Sequence, residues 1–138
     1  MFSITKRSTL VGLILISSIF LMASQLQTND LLASKARGKE TYTEICMTCH
    51  LANGKGTPGA FPPLADSDYL SKPKSEIIHS VKYGLSGEIT VNGQKYNNVM
   101  PSPGLSDKEI ADVLNYIGNS WGNKKDFISE AMVKEVKE

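Results

Sequence analysis

The sequence predicts an all-helical domain of four to five short helices with one minor β-hairpin. The clearest helix begins at Ser106, where Ser106-Asp107-Lys108-Glu109 forms a capping box. Apolar residues then recur at i, i+3, i+4 and i+7 to about Ser120, as on one face of a helix. Asn92-Gly93 lies between two β-prone segments and predicts a ribbon that pairs Ile89–Val91 with Gln94–Tyr96.

Capping residues and apolar stripes predict the other helical segments. The first is a helix over Ala36–Met47, which follows a leading segment at Asn29–Ser34. The second is a turn that Ser67 caps and that ends at Leu70. The third is a helix over Glu76–Tyr83 that Ser75 caps and Gly84 ends, and the fourth is a last helix that Ser129 caps. In the first of these helices Gly38 and Tyr42 share a face. A glycine inside a helix costs about 1 kcal/mol relative to alanine, so Gly38 indicates close approach by another helix rather than a break.

Residues 1–24 have the layout of a secretory signal peptide. Lys6 and Arg7 precede an uncharged apolar run from Leu10 to Met22, and two small residues follow. The run is about 13 residues long, short of the ~20 that a membrane-spanning helix needs. We therefore expect a signal peptide at 1–24 and one domain at 25–138, with an uncleaved N-terminal anchor and membrane association as the alternative.

The charge of the predicted domain is nearly balanced. Without Lys6 and Arg7, 13 of the 15 basic side chains remain beside 14 acidic ones, which leaves a net charge near −1. The sequence has no basic stripe. Both observations argue against nucleic acid as a partner.

The decisive motif is Cys46-Met47-Thr48-Cys49-His50. This spacing is typical of the covalent attachment of haem c. The two-residue spacer lets the thiols of Cys46 and Cys49 reach two vinyl groups on one edge of a porphyrin, and His50 then offers an imidazole nitrogen to the iron. The alternative is a redox-active or structural Cys-x-x-Cys with an incidental histidine, and in an oxidising compartment this pair could close a disulfide.

Three further residues are candidates for the haem pocket. A carbonyl of the stiff loop Phe61-Pro62-Pro63-Leu64, that of Pro62, is expected to accept a hydrogen bond from the far nitrogen of His50 and so to fix the imidazole. Tyr96 and Trp121 are expected to line the pocket or to donate to the haem propionates. Plain core packing is the alternative for both, because buried Tyr and Trp seek a polar partner in any case.

The second axial ligand of the iron decides the function, and its candidates are Met47, Met100, Met132 and His79. Met47 lies between the anchoring cysteines, Met132 fits the apolar stripe of the last helix, and His79 points away from the inner face of its helix. Met100 precedes a proline, which favours an extended backbone in a stiff loop. We expect Met100 to bind the iron, with a gap-filling core methionine as the alternative.

Ligation by His50 and Met100 would raise the reduction potential relative to more basic ligand pairs. It would also fill both axial positions, so that neither substrate nor dioxygen reaches the iron unless the sulfur leaves. The expected activity is outer-sphere transfer of single electrons, and the protein is expected not to be an enzyme.

Several motifs together resemble the class I c-type cytochromes, the small single-haem electron carriers. The matching residues are Gly38-x-x-x-Tyr42, Cys46-x-x-Cys49-His50, Phe61-Pro62-Pro63-Leu64, Tyr96-Asn97-x-x-Met100-Pro101, and Leu105-Ser106-Asp107 leading into Val113-x-x-Tyr116. The resemblance implies a cytochrome c fold of four to five short helices around one covalently bound haem c. It also implies that the first helix crosses the helix that begins at Ser106, with Gly38 and Tyr42 against Val113 and Tyr116.

The segment from Gly84 through Trp121-Gly122-Asn123 is similar to the cytochrome domains of bacterial nitrite reductases, alcohol dehydrogenases and terminal oxidases. This similarity implies a bacterial respiratory chain, a location in the periplasm or at the outer face of the cytoplasmic membrane, and redox proteins as partners, with a donor dehydrogenase or reductase and an acceptor oxidase or reductase. The alternatives are a haem c subunit held permanently in a dehydrogenase, reductase or oxidase complex, a haem peroxidase, and a thiol-disulfide protein without haem. The ribbon and the tail after Trp121 are expected to be packing elements, with docking as the alternative.

Overall fold

The computed structural model describes residues 30–138 of the chain. This part contains four α-helices, one 3₁₀-helical turn and one β-hairpin, joined by loops. Residues 33–138 form one compact unit. The predicted signal peptide and the expected domain boundary at residue 25 lie outside the described residues. No helix within residues 30–138 is both long and apolar enough to cross a bilayer. The all-helical class with a minor hairpin is confirmed.

Helix α1 is longer than the sequence predicts. Residues 30–41 are α-helical, Tyr42–Cys46 form a π-helical turn, and Met47–His50 return to α-helical geometry. The helix thus begins within the leading segment, six residues before its predicted start at Ala36. Ser34 is buried in this helix, where its hydroxyl donates to the carboxylate of Asp112 at 2.6 Å, a tertiary contact that a local pattern does not encode.

The second helix, α2, spans Lys74–Tyr83, and α3 spans Asp107–Gly118. The predicted capping box of α3 is present, since the Ser106 hydroxyl accepts from Glu109 N and the Glu109 carboxylate accepts from Ser106 N. Helix α3 ends at Gly118, two residues before the predicted end at Ser120. Its buried face forms the centre of the core.

Helices α1 and α3 cross at Gly38, as the sequence predicts. A Cβ atom on Gly38 would lie 1.9 Å from Asp112 O and 2.9 Å from Val113 N, so only glycine allows this approach. The rings of Tyr42 and Tyr116 pack next to the crossing, with centroids 5.3 Å apart. The crossing thus places the C-terminal half of α1 against the core.

A polar network centred on the buried Asp112 reinforces the crossing. The Asp112 carboxylate accepts hydrogen bonds from Ser34, from two nitrogens of Arg37 at 2.6 and 2.8 Å, and from Lys108 at 2.7 Å. Burial raises the pKa of Asp112, but these hydrogen bonds outweigh burial and hold the pKa below its usual value. Asn115 extends the network by donating to the hydroxyl of Ser34 at 2.9 Å.

The hairpin pairs β1, Ile89–Val91, with β2, Gln94–Tyr96, in antiparallel register, as predicted. Its turn, Asn92-Gly93, has positive φ at both residues, the conformation that Asn-Gly favours. A two-stranded ribbon is marginal alone, and here Asn92 and Asp68 fasten it through reciprocal side-chain to backbone hydrogen bonds of 2.9 and 2.8 Å. Val91 and Tyr96 are buried beneath it.

The start of α2 and the preceding turn differ from the predictions. The 3₁₀ turn spans Asp68–Ser71, but the hydroxyl of Ser67 caps nothing and has no hydrogen-bond partner within residues 30–138. Helix α2 begins at Lys74, with Pro73 rather than Ser75 at the capping position, and Pro73 O accepts from Glu76 N at 3.0 Å and from Ile77 N at 3.3 Å. The predicted end of α2 at Gly84 is confirmed.

The last helix, α4, spans Glu130–Glu135, and its predicted cap is present since Ser129 Oγ accepts from Met132 N at 3.3 Å. Val133 on this helix is fully buried against the core. Lys82 of α2 donates to Val133 O at 2.9 Å and to Val136 O at 3.3 Å. The tail is therefore packed as part of the domain.

Candidate functional site

An apolar cavity lies between the C-terminal end of α1, helices α2 and α3, and the two proline-containing loops. Its lining brings together four of the sequence-predicted site residues that carry sulfur or nitrogen, Cys46, Cys49, His50 and Met100. Most of the other lining side chains are apolar, among them Pro62, Pro63, Leu64, Leu70, Ile77, Val81, Leu85, Ile89, Val91, Pro101, Pro103, Val113, Leu114 and Ile117. The cavity therefore suits a mostly apolar ligand that also binds a few sulfur or nitrogen atoms.

The two cysteines lie on consecutive turns at the end of α1. Cys46 ends the π-helical turn and Cys49 lies in the α-helical turn that follows. Both are half-buried free thiols. Burial, with a smaller contribution from Cys49, raises the pKa of the Cys46 thiol to about 11.

His50 is fixed by the loop that follows it. Its Nδ1 donates to Pro62 O at 3.0 Å, and because a carbonyl only accepts, Nδ1 carries the proton and Nε2 keeps a free lone pair. Burial lowers the pKa of His50, although the hydrogen bond to Pro62 opposes this, and burial therefore favours the neutral ring that can bind metal.

Gly56 makes the hydrogen bond between His50 and Pro62 possible. Its φ is +61°, and a Cβ atom there would lie 2.3 Å from Phe61 O and 2.6 Å from Pro62 O. Its N–H donates to His50 O at 3.0 Å, which closes the loop on the end of α1. The sequence marks this segment as turn chemistry but does not show which glycine carries the approach.

Met100 is held by a short antiparallel pairing that sequence reasoning missed. Met100 N donates to Leu85 O, and Leu85 N donates to Met100 O, each at 2.8 Å. Both residues line the cavity. The 15-residue separation and the hairpin between the two partners leave no local signal for this pairing.

The structure does not bring Tyr96 and Trp121 to the cavity lining. Tyr96 is buried beneath the hairpin, and its hydroxyl donates to Gln94 at 3.3 Å. The ring of Trp121 packs at an angle against the rings of Tyr42 and Tyr116, with interplanar angles of 58° and 78° and centroids 5.1 and 5.5 Å apart, and it fills the space that a Cβ on Gly54 would occupy. Both residues pack inside the domain in this structure, and their expected place at the haem pocket stays a prediction.

The other candidates for the second ligand lie outside the cavity lining. His79 is half-exposed beside the ring of Tyr83, with centroids 5.0 Å apart, and Met132 is 37% exposed on α4. Met47 is half-buried against the core cluster. Among the candidates that the sequence offered, Met100 alone shares the cavity with His50.

Comparison with known proteins agrees with this geometry. Residues 35–121 match the family described as cytochrome c. The chain belongs to the cytochrome c family. It is 46% identical over 105 residues to cytochrome c-552 of Thermus thermophilus, an alignment that covers 72% of this cytochrome and 70% of that protein.

Subunits of larger enzymes are also similar to this cytochrome. The cytochrome c subunit of a quinone-dependent alcohol dehydrogenase from Gluconacetobacter polyoxogenes is 35% identical over 91 residues, which cover 63% of this chain and 19% of that subunit. The cbb3-type cytochrome c oxidase subunit FixP of Azorhizobium caulinodans is 31% identical over 91 residues, which cover 64% of this chain and 30% of that subunit. These matches place the protein among class I c-type cytochromes, which transfer electrons through a covalently bound haem c.

The residues of the cavity fit such a group. Two thiols with the required spacing, a neutral imidazole with one free nitrogen, and a thioether line one apolar space. Cys46 and Cys49 are positioned as the motif for covalent attachment requires. The cavity supplies the water-poor, apolar environment that a porphyrin needs.

Proposed function

We propose that this cytochrome carries single electrons through a haem c that Cys46 and Cys49 anchor and that His50 and Met100 ligate. One observation carries the proposal: the imidazole of His50 and the backbone of Met100 are each fixed by hydrogen bonds on the lining of one cavity that also contains both thiols. When bound, the haem supplies a one-electron centre.

The side chains around the cavity define the chemistry that we propose. Pro62 O holds the proton on Nδ1 of His50, which leaves Nε2 to bind metal in one orientation. The thioether of Met100 would raise the reduction potential. His50 and Met100 would together hold the iron and leave no position on it for a substrate, so the proposed role is that of a carrier and not of an enzyme.

The partners that we propose are redox proteins, a donor dehydrogenase or reductase and an acceptor oxidase or reductase. Ile45, a cavity-lining residue, is 44% exposed, and Leu51 and Val99, the neighbours of His50 and Met100, are 41% and 68% exposed. Exposed apolar side chains next to a redox site suit a transient protein contact.

We propose that the protein works in a bacterial respiratory chain, in the periplasm or at the outer face of the cytoplasmic membrane. The support is the charged N-terminus and the apolar run that precede the family segment. Fractionation of the producing cell and determination of the mature N-terminus test this proposal. A haem-bearing product that begins near residue 25 in the envelope fraction is expected, whereas an uncleaved chain in the membrane would support the anchor.

A fixed subunit is the second candidate, and the similarity to dehydrogenase and oxidase subunits favours it. Detergent extraction and size analysis separate the two. A free carrier elutes as a small haem protein, and a subunit elutes with a larger enzyme.

Met100→Ala tests the proposed ligand set, and Met132→Ala is the matched control because Met132 is exposed on α4. The first variant should lose the sulfur-to-iron absorption band, lower the midpoint potential and gain peroxidase activity, and the second should change none of these. Peroxide turnover by the unaltered protein would instead support the peroxidase alternative.

A further inference from the structure

Three hydrogen bonds join the end of α2 to the segment that carries Met100. The two backbone bonds between Leu85 and Met100 form one pair. The third runs from Ser102 Oγ to Lys82 O at 2.7 Å. The residues on either side of Pro101 are therefore both attached to Lys82–Leu85, the segment that we call the clamp.

Gly84 lies at the centre of the clamp. Its φ of 87° and ψ of 179° belong to a region that only glycine adopts readily. A Cβ atom at Gly84 would lie 2.7 Å from Met100 O and 2.9 Å from Ser102 N. Backbone conformation and close packing thus each disfavour a side chain at Gly84, and the close packing is against the methionine segment.

The side chain of Lys82 extends the clamp. Its ammonium lies 2.9 Å from the carboxylate of Asp107, the first residue of α3 after the methionine loop. It also donates to the carbonyls of Val133 and Val136 in the tail. The clamp therefore contacts the methionine loop at Met100 and Ser102, and it contacts the start of α3 at Asp107.

We propose that the clamp positions the sulfur of Met100 and that Gly84 is its decisive positioning residue; the inference rests on the proposed ligation by Met100. A thioether binds iron weakly, so its occupancy depends on how little freedom the loop loses when the bond forms. The clamp removes that freedom in advance. Displacing the backbone of Met100 therefore weakens ligation even though the sulfur itself is unchanged.

Gly84→Ala tests the clamp, and Gly87→Ala is its matched control. Both glycines have positive φ, 87° and 91°, but a Cβ atom on Gly87 would meet nothing within 4 Å. Both variants therefore place alanine at a positive φ, but only Gly84→Ala should also displace the methionine segment. The holoproteins are compared by the sulfur-to-iron band, the midpoint potential and the affinity of ferric iron for added imidazole, which competes with the thioether.

Gly84→Ala is expected to weaken the band, lower the potential and bind imidazole on the order of tenfold more tightly, while Gly87→Ala keeps all three values of the unaltered protein. If Gly84→Ala does not fold, Ser102→Ala decides, and a shift of imidazole affinity in the same direction is expected from it. Unchanged readouts in the folded variant, or equal changes at both glycines, overturn the inference. Absence of the band from the unaltered protein instead overturns ligation by Met100, and the inference with it.

Discussion

The helix crossing at Gly38 yields the most quantitative prediction. A Cβ atom there would lie 1.9 Å from Asp112 O, and ordinary contact begins at 3.4 Å, so in Gly38→Ala helix α3 must move away by about 1.5 Å. The atoms in the way belong to the backbone of α3, which cannot yield as a flexible side chain does. Overpacking of a core costs about 1–3 kcal/mol.

Two other effects set the net change. Alanine recovers about 1 kcal/mol of helix propensity relative to glycine. Separating the helices also loosens the packing around Val113, which is fully buried, and this adds to the cost. We expect Gly38→Ala to lower the free energy of unfolding of the holoprotein by about 2 kcal/mol.

Denaturant unfolding of the holoprotein measures this change, with Lys39→Ala as the control. Lys39 is the next residue of the same helix and is exposed, so its replacement should change stability by less than about 0.5 kcal/mol. A Gly38→Ala protein as stable as the unaltered one, or more stable, would refute the close crossing.

Three further changes test contacts within the domain. Tyr42→Phe keeps the buried ring but removes the 2.7 Å hydrogen bond to Leu51 O, and it should cost about 1 kcal/mol in the same unfolding assay; no loss would contradict that bond. Asn92→Ala removes the side-chain bond to Asp68 and places alanine at φ of 50°, so the hairpin amides should exchange faster with solvent, which hydrogen exchange detects. Since the folded-state pKa of Asp112 is lowered, its ionised form stabilises the fold above the unfolded pKa, and this contribution is lost as pH falls through the folded value. Asp112→Asn should thus be less stable at neutral pH and lose less stability on acidification below about pH 4, and parallel acid unfolding curves would contradict this account.

Elements with local signals were predictable from the sequence. The capping box of Ser106 and Glu109 and the Asn92-Gly93 turn each act within four residues, so both appear in the structure where they were expected. The start of α1 was not predictable, because Ser34 stays helical through a bond to Asp112, 78 residues away. Ser67 and Ser75 look like helix caps locally, but Pro73 takes that place for α2 and Ser67 makes no capping bond.

In the candidate site, too, residues with a local sequence signal were predictable and the others were not. The motif at Cys46, Cys49 and His50 is contiguous, so one short segment carries its chemistry. The setting of Met100 depends on a pairing with Leu85 across the hairpin, which composition and periodicity do not show. Trp121 was expected at the haem pocket, with core packing as the alternative, and in the structure its ring packs against the rings of two tyrosines and against Gly54, contacts that no local pattern shows.

Absorption spectra of the purified protein, oxidised and reduced, test the central claim most directly. Covalent attachment and ligation by His50 and Met100 predict a low-spin spectrum in both states, a weak sulfur-to-iron band in the oxidised state, and colour that stays with the polypeptide after denaturation. A colourless polypeptide, or one that loses its colour to organic solvent on denaturation, would contradict the account.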